Sequence, residues 1–84
     1  MKPIRLSLHA QSYLIKRGFS FDEVESAIRD CEWQLTDQGR YDCRKNFTFE
    51  KMWNGVHYST KQVRPIFVEE ENEIVVITVY TYFF

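Results

Sequence analysis

The chain changes its hydrophobic period once. Apolar residues recur at helical spacing as far as Cys31, and from Trp33 onward they alternate with polar ones. A helical period buries one stripe of a cylinder, and a period of two buries one face of a strand. Helices followed by strands predict an α+β fold with the helices gathered on one side of a sheet. The closing segment sharpens this. Ile74–Phe83 carries no charge and is apolar at both parities, with Val75, Ile77 and Val79 on one side and Ile74, Val76, Thr78, Tyr80 and Tyr82 on the other. A strand buried on both faces belongs in the middle of a sheet.

The helical part divides in two. Leu6–Arg17 reads as a first helix, with Ser7 as N-cap, Gly18 as stop and basic residues in the last turn. Leu6, Ala10, Tyr13, Leu14 and Arg17 share one face, while Leu8 and Ile15 lie nearly opposite. A second helix opens on a capping box, Ser20 with Glu23, and Phe19 and Val24 are spaced for a hydrophobic staple. Gly18-Phe19 between them implies a tight helical hairpin. Trp33–Asp37, Tyr41–Trp53, Gln62–Glu69 and Ile74–Phe83 read as strands. Turns fall at Gln38-Gly39, Asn54-Gly55 and Glu70–Asn72. Pro65 favours an edge or a bulge. The expected architecture is one domain over residues 1–84: an N-terminal helical hairpin on a mostly antiparallel, curved sheet of three to four strands, in the order ααββββ.

Composition narrows the function classes. Eighty-four residues, 44% hydrophobic and 27% charged, suffice for a single core. A net charge of -1 excludes a uniformly basic nucleic-acid binder, yet the charge is segregated. Residues 1–20 hold four basic side chains and no acid, and residues 38–68 hold six against two. Such blocks can make a basic patch on a neutral protein; solvated turns and helix ends explain the acidic blocks equally well. Cys31 and Cys43 lack metal spacing and read as reduced thiols of a cytoplasmic protein. The longest uncharged stretch is too short for a membrane helix, so no membrane is expected. No phosphate loop, dinucleotide fingerprint or zinc pattern occurs, and no cofactor or metal is expected.

What remains is a scatter of His, Arg, Lys and Tyr. That set suits metal-independent RNA cleavage: the 2′-hydroxyl needs a base, the phosphate needs positive charge, and the leaving oxygen needs an acid. Four residues are the catalytic candidates. His9 is a base, or a tether of helix to sheet. Arg17 projects from an apolar stripe and is a phosphate fork, or a structural bridge. Arg40 supplies charge, and Tyr80 positions or stacks, or packs in the core. Lys16, Arg44, Lys45, His57 and Arg64 are RNA-binding candidates, or ordinary solvated charges. Arg40 and Arg44 have the spacing to share a face, whereas Arg44 and Lys45 point to opposite faces. The closing Thr81–Phe84, "TYFF", should be covered by the protein's own helices, a second copy or another chain.

One resemblance accompanies these readings. "LHAQSYLIKRGFSFDEVESAI" resembles the opening of the bacterial domain-of-unknown-function 4258 family at His9, Ala10, Arg17, Gly18, Ser20, Val24, Ala27 and Ile28, and Glu73–Tyr80 is similar to its last strand. That family is akin to BrnT and RelE-like toxins of type II toxin–antitoxin systems. The kinship implies a RelE/BrnT-like domain, cleavage of messenger RNA by basic residues and a tyrosine on the sheet, and a cognate antitoxin as partner beside the RNA. The rival class is a non-catalytic interaction module, acting as a homodimer through the last strand or as a partner-bound subunit.

Overall fold

The structure is a computed structural model that describes residues 1–84. In chain order it has β1 (Ile4–Leu6), α1 (Leu8–Ser12), α2 (Leu14–Arg17) and α3 (Phe21–Asp30). There follow β2 (Gln34–Leu35), β3 (Tyr41–Asp42), β4 (Lys45–Trp53), β5 (Val56–Glu69) and β6 (Ile74–Phe83). The strands form one six-stranded sheet in the order β1-β6-β5-β3-β2, and β4 pairs β5 beyond β3. Only β1 is parallel to its neighbour, aligning Ile4 with Ile74 and Leu6 with Val76.

The class is α+β, as the period change requires, but the sheet has six strands where three to four are expected. One added strand is β1, which falls before the expected first helix and is too short to display a period; the other arises because the expected Tyr41–Trp53 strand is interrupted at Cys43-Arg44 into β3 and β4. That first helix is also broken. Tyr13 sits at φ -100, ψ 0, and separates α1 from α2.

The α3 start follows its sequence signature. Ser20 accepts from the Glu23 N–H, and Glu23 accepts from the Ser20 N–H, closing the capping box. The buried stripe Val24, Ala27 and Ile28 joins Phe19, Val63, Phe67, Ile74, Val76 and Val79 in one core. Each large apolar side chain so buried contributes about 1.5–3 kcal/mol.

Pro65 is buried in the middle of β5, not at an edge. β3 pairs Ile66 and Phe67, while β4 begins its pairing at Val63. Arg64 and Pro65 therefore face the Cys43-Arg44 gap between β3 and β4, where the missing proline N–H forfeits no ladder bond. A second irregularity lies on β6. Ile66 pairs Thr78 and Phe67 pairs Val76, so Ile77 is an extra residue, a β-bulge. The bulge moves the alternation by one. Ile74, Val76 and Val79 are all buried on the helix side, whereas Val79 was expected to share a side with Val75 and Ile77. Thr78, Tyr80 and Tyr82 lie opposite Ile66, Arg64 and Gln62 on the face that α3 does not cover.

Gly18 ends α2 at φ 73, where side chains are strained. A Cβ there would also fall 2.6 Å from Trp53 Cη2. Trp53 in turn stacks on Phe83 at 4.8 Å, with Phe49 5.1 Å from the same ring. The long β4–β5 hairpin thus folds over the helix turn and covers Phe83, while Phe84 stays exposed.

Two outcomes follow for stability. Gly18→Ala combines backbone strain with a clash on Trp53 and should cost about 1–3 kcal/mol, a fall of roughly 4–8 °C in melting temperature per kcal/mol. Arg5 binds Glu73 through two hydrogen bonds and holds its carboxyl below the usual 4.5. That contribution is full above the unfolded value and disappears as pH falls through the lower folded one. Urea unfolding at about pH 6 and about pH 3 should show Glu73→Gln losing less stability than the parent across that interval.

Candidate nucleic-acid interface

The outer edge of β6 positions the site. Only Ile74–Val76 are paired by β1, so the carbonyls beyond them need other partners. The Ser7 N–H donates to Val76 O, and the Ser7 hydroxyl donates to Ile77 O while accepting the Ala10 N–H. Arg17 Nη1 donates to Val79 O at 3.0 Å and to Thr78 Oγ1 at 3.2 Å. The Thr81 hydroxyl donates back to Arg17 O. Arg17 therefore projects from an apolar stripe because it closes a strand edge. The same contacts occupy much of the edge through which a second copy was expected to pair.

The Arg17 guanidinium reaches the uncovered face in doing so. Its Cζ lies 3.9 Å from the Tyr13 ring centre and 5.2 Å from the Tyr80 ring centre. Beyond Tyr80, at 5.8 Å, is Arg64. Arg64 is held by the buried Asp42 carboxylate at 2.7 Å from both Nε and Nη2. Its hydrogen bonds to Asp42 first, and to Tyr82 besides, raise its pKa, so it is a fixed cation. Arg40 lines the same shallow concavity of about 390 Å³, with Arg64, Thr78, Tyr80 and Asp37. Arg17, Arg40, Arg64 and Tyr80 are thus brought together from four separated stretches of chain.

The other candidates stand elsewhere. His9 is exposed and packs on Tyr13, 4.9 Å between ring centres, and is linked to Tyr80 only through Tyr13 and Arg17. Lys16 also lies over Tyr13, at 5.6 Å. Arg44 is exposed beside a neighbouring concavity lined by Cys31, Glu32, Asp42 and Cys43, not by Arg40. Lys45 is engaged on the helix side, 2.7 Å from Asp30 and 2.6 Å from Ser26 Oγ. It pulls the Asp30 pKa down, chiefly through that hydrogen bond. His57 is on the β4–β5 hairpin, 3.7 Å from Glu50, away from the others.

Several residues of the uncovered face escape a reading along the sequence. Cross-strand register places Asn46, Gln62 and Tyr82 in one row, and Gln62 Nε2 donates to Asn46 Oδ1 at 2.9 Å. The Asp42 clamp on Arg64 spans 22 positions, which no local pattern reveals. Lys61 is buried on the helix side, bonded to Glu23 at 2.7 Å and to Gly18 O at 3.0 Å. It ties the helical turn to the sheet and is not available to a ligand.

No group of His, Cys, Asp and Glu is arranged to hold a metal ion. No helix is long and apolar enough to cross a membrane. Comparison with known protein families, with curated proteins and with solved structures finds no match.

The two thiols differ in kind. Burial pushes Cys43 up to about 12, with Cys31 and Asp42 adding to the rise, whereas Cys31 is partly exposed. A thiol reagent at about pH 8 should therefore modify Cys31 in the native protein and Cys43 only on unfolding. Mass spectrometry of the labelled chain reads this directly.

Proposed function

We propose that the chain is a small RelE/BrnT-like toxin, an endoribonuclease that cleaves messenger RNA without a metal. The observation that carries the reading is the convergence of Arg17, Arg40 and Arg64 on the partly exposed Tyr80, on a sheet face that no helix covers. In such a cleavage the 2′-oxygen attacks the adjacent phosphorus and gives up its proton to a solvent water. The 5′-oxygen leaves with a proton, and a 2′,3′-cyclic phosphate remains. Guanidinium groups held rigid before the substrate arrives stabilise the charge that grows on the phosphoryl oxygens. Tyr80, whose ring lies beside both Arg17 and Arg64, donates its hydroxyl proton toward the leaving oxygen. His9 packs on Tyr13, outside the concavity that Arg40, Arg64 and Tyr80 line, and serves to hold RNA further along. The family resemblance of the helical hairpin supports the same reading. A cognate antitoxin completes it, and the uncovered Leu8 and Ile15 of α1 and α2 offer it an apolar face.

A second reading, a non-catalytic interaction module, is favoured by one observation. Arg17 and Arg64 already have protein acceptors, Val79 O and Asp42, so both are partly spent on structure.

Incubation of purified chain with RNA and excess chelator separates the two. The toxin reading expects cleavage with cyclic-phosphate ends. Tyr80→Phe and Arg40→Ala should each lower the rate about a hundred-fold, with melting temperatures unchanged, and His9→Ala should have a smaller effect. Intact RNA, or a Tyr80→Phe rate equal to the parent's, would remove the proposal and leave the interaction module.

A further inference from the structure

We infer that the uncovered sheet face is a stacking platform for single-stranded RNA, with two unpaired bases laid on Tyr82 and Phe84 beside the Tyr80 cluster. The inference takes from the preceding reading only that the ligand is RNA, and it does not require cleavage.

The rings come first. The Ile77 bulge puts Tyr80, Tyr82 and Phe84 on one face, as the pairings Arg64–Tyr80 and Gln62–Tyr82 and the mutual Thr60–Phe84 hydrogen bonds fix. They are 40%, 43% and 57% exposed. Alternate residues of a strand lie roughly 6.6–6.8 Å apart. Rings so spaced do not stack on one another, but each offers a surface to one base of an extended strand. The Tyr80 ring is flanked by two guanidiniums, whereas no cation lies over the rings of Tyr82 and Phe84, Tyr82 meeting Arg64 through its hydroxyl, so their faces are open to bases.

The charge of the face also suits RNA. Along the rows that cross-strand register defines, Asp42 is the only acid, and Arg64 neutralises it. The remaining neighbours are Asn46, Thr48, Thr60, Gln62, Ile66 and Thr78, all uncharged. Arg17, Arg40 and Arg44 stand around this face, and Asp37 and Glu32 stand at its β2 end, away from Tyr82 and Phe84. The other acids lie on α3, on the β4 bulge at Glu50 or around the β5–β6 turn. A chain of net charge -1 therefore presents a neutral-to-basic aromatic face, which fits a phosphate-linked strand and not an acidic one. In the Tyr82 row, Asn46 and Gln62 bond to each other through one amide hydrogen bond, leaving an acceptor on Gln62 and a donor on Asn46 for a base edge.

Binding of a short fluorescent RNA with 2′-deoxy or 2′-methoxy sugars, which no cyclising mechanism can cut, tests the inference apart from catalysis. The parent should bind the single strand more tightly than the same sequence in a duplex. Tyr82→Ala and Phe84→Ala should each weaken it about ten-fold, the loss expected for one stacked base, and Tyr82→Phe should bind like the parent. Tyr82→Trp adds a readout independent of affinity, since indole emission is quenched under a stacked base. Equal binding by parent and both alanine variants overturns the inference, as does equal affinity for single strand and duplex. Loss of a protein partner, with RNA binding untouched, also overturns it and assigns the face to that partner. Cleavage by the parent with ring variants that bind normally sinks the platform but not the nuclease. Ring-dependent binding with no cleavage of natural RNA sinks the nuclease but not the platform.

Discussion

Beyond Val76 the last strand has no strand on its outer side, and its carbonyls still require donors. Ser7 and Arg17 provide them, and much else is fixed as a result. Ser7 must be at the start of α1 to cap it and reach Ile77 at once. Arg17 must be at the end of α2, so the break at Tyr13 and the left-handed Gly18 set its direction. An edge bonded in this manner is closed to stray pairing without a further strand. It also delivers a guanidinium to the rim of the opposite face, where a helix residue would not otherwise reach.

The two sides of the sheet are built from different chemistry. On the helix side Lys61 is paired with Glu23 and Lys45 with Asp30, so the charge there is internally balanced. On the other side the clamp between Asp42 and Arg64 uses the single acid of those rows, and the nearby arginines remain in excess. Net charge, summed over the chain, conceals this division because most acids gather on α3 and the β5–β6 turn.

Local rules made much of the fold readable. The capping box at Ser20, the stop at Gly18 and the Asn54-Gly55 turn each depend on a few neighbouring residues, and each appears as its chemistry requires. The failures arise where distant pairing decides. β1 is only three residues and exists because Ile74–Val76 are beside it. Pro65 reads as an edge or bulge residue; it is central, one residue from the register shift after Ile66, and a gap in the next strand accommodates it. Arg17 and Tyr80 stand out along the chain, Arg17 for its apolar surroundings and Tyr80 for its place on the last strand. Their contact, and the clamp on Arg64, depend on register. Lys45 carries the same charge as the site residues and is drawn to the helix side by Asp30, while His57 lies on the β4–β5 hairpin beside Glu50.

The bulge at Ile77 has a consequence for how such a chain can change. Upstream of it, the register of β6 is locked by β1 and the core; downstream, the same strand sets which rings meet solvent. One inserted residue is all that separates these two duties. Removing it would send Tyr80 and Tyr82 inward and Val79 and Thr81 outward, inverting the strand's second half while its first half stayed in place. Point changes at the aromatic positions can alter the outer surface independently of the interior, but a length change at Ile77 cannot. Ile77 therefore acts as a hinge of sidedness, constrained in number more than in kind.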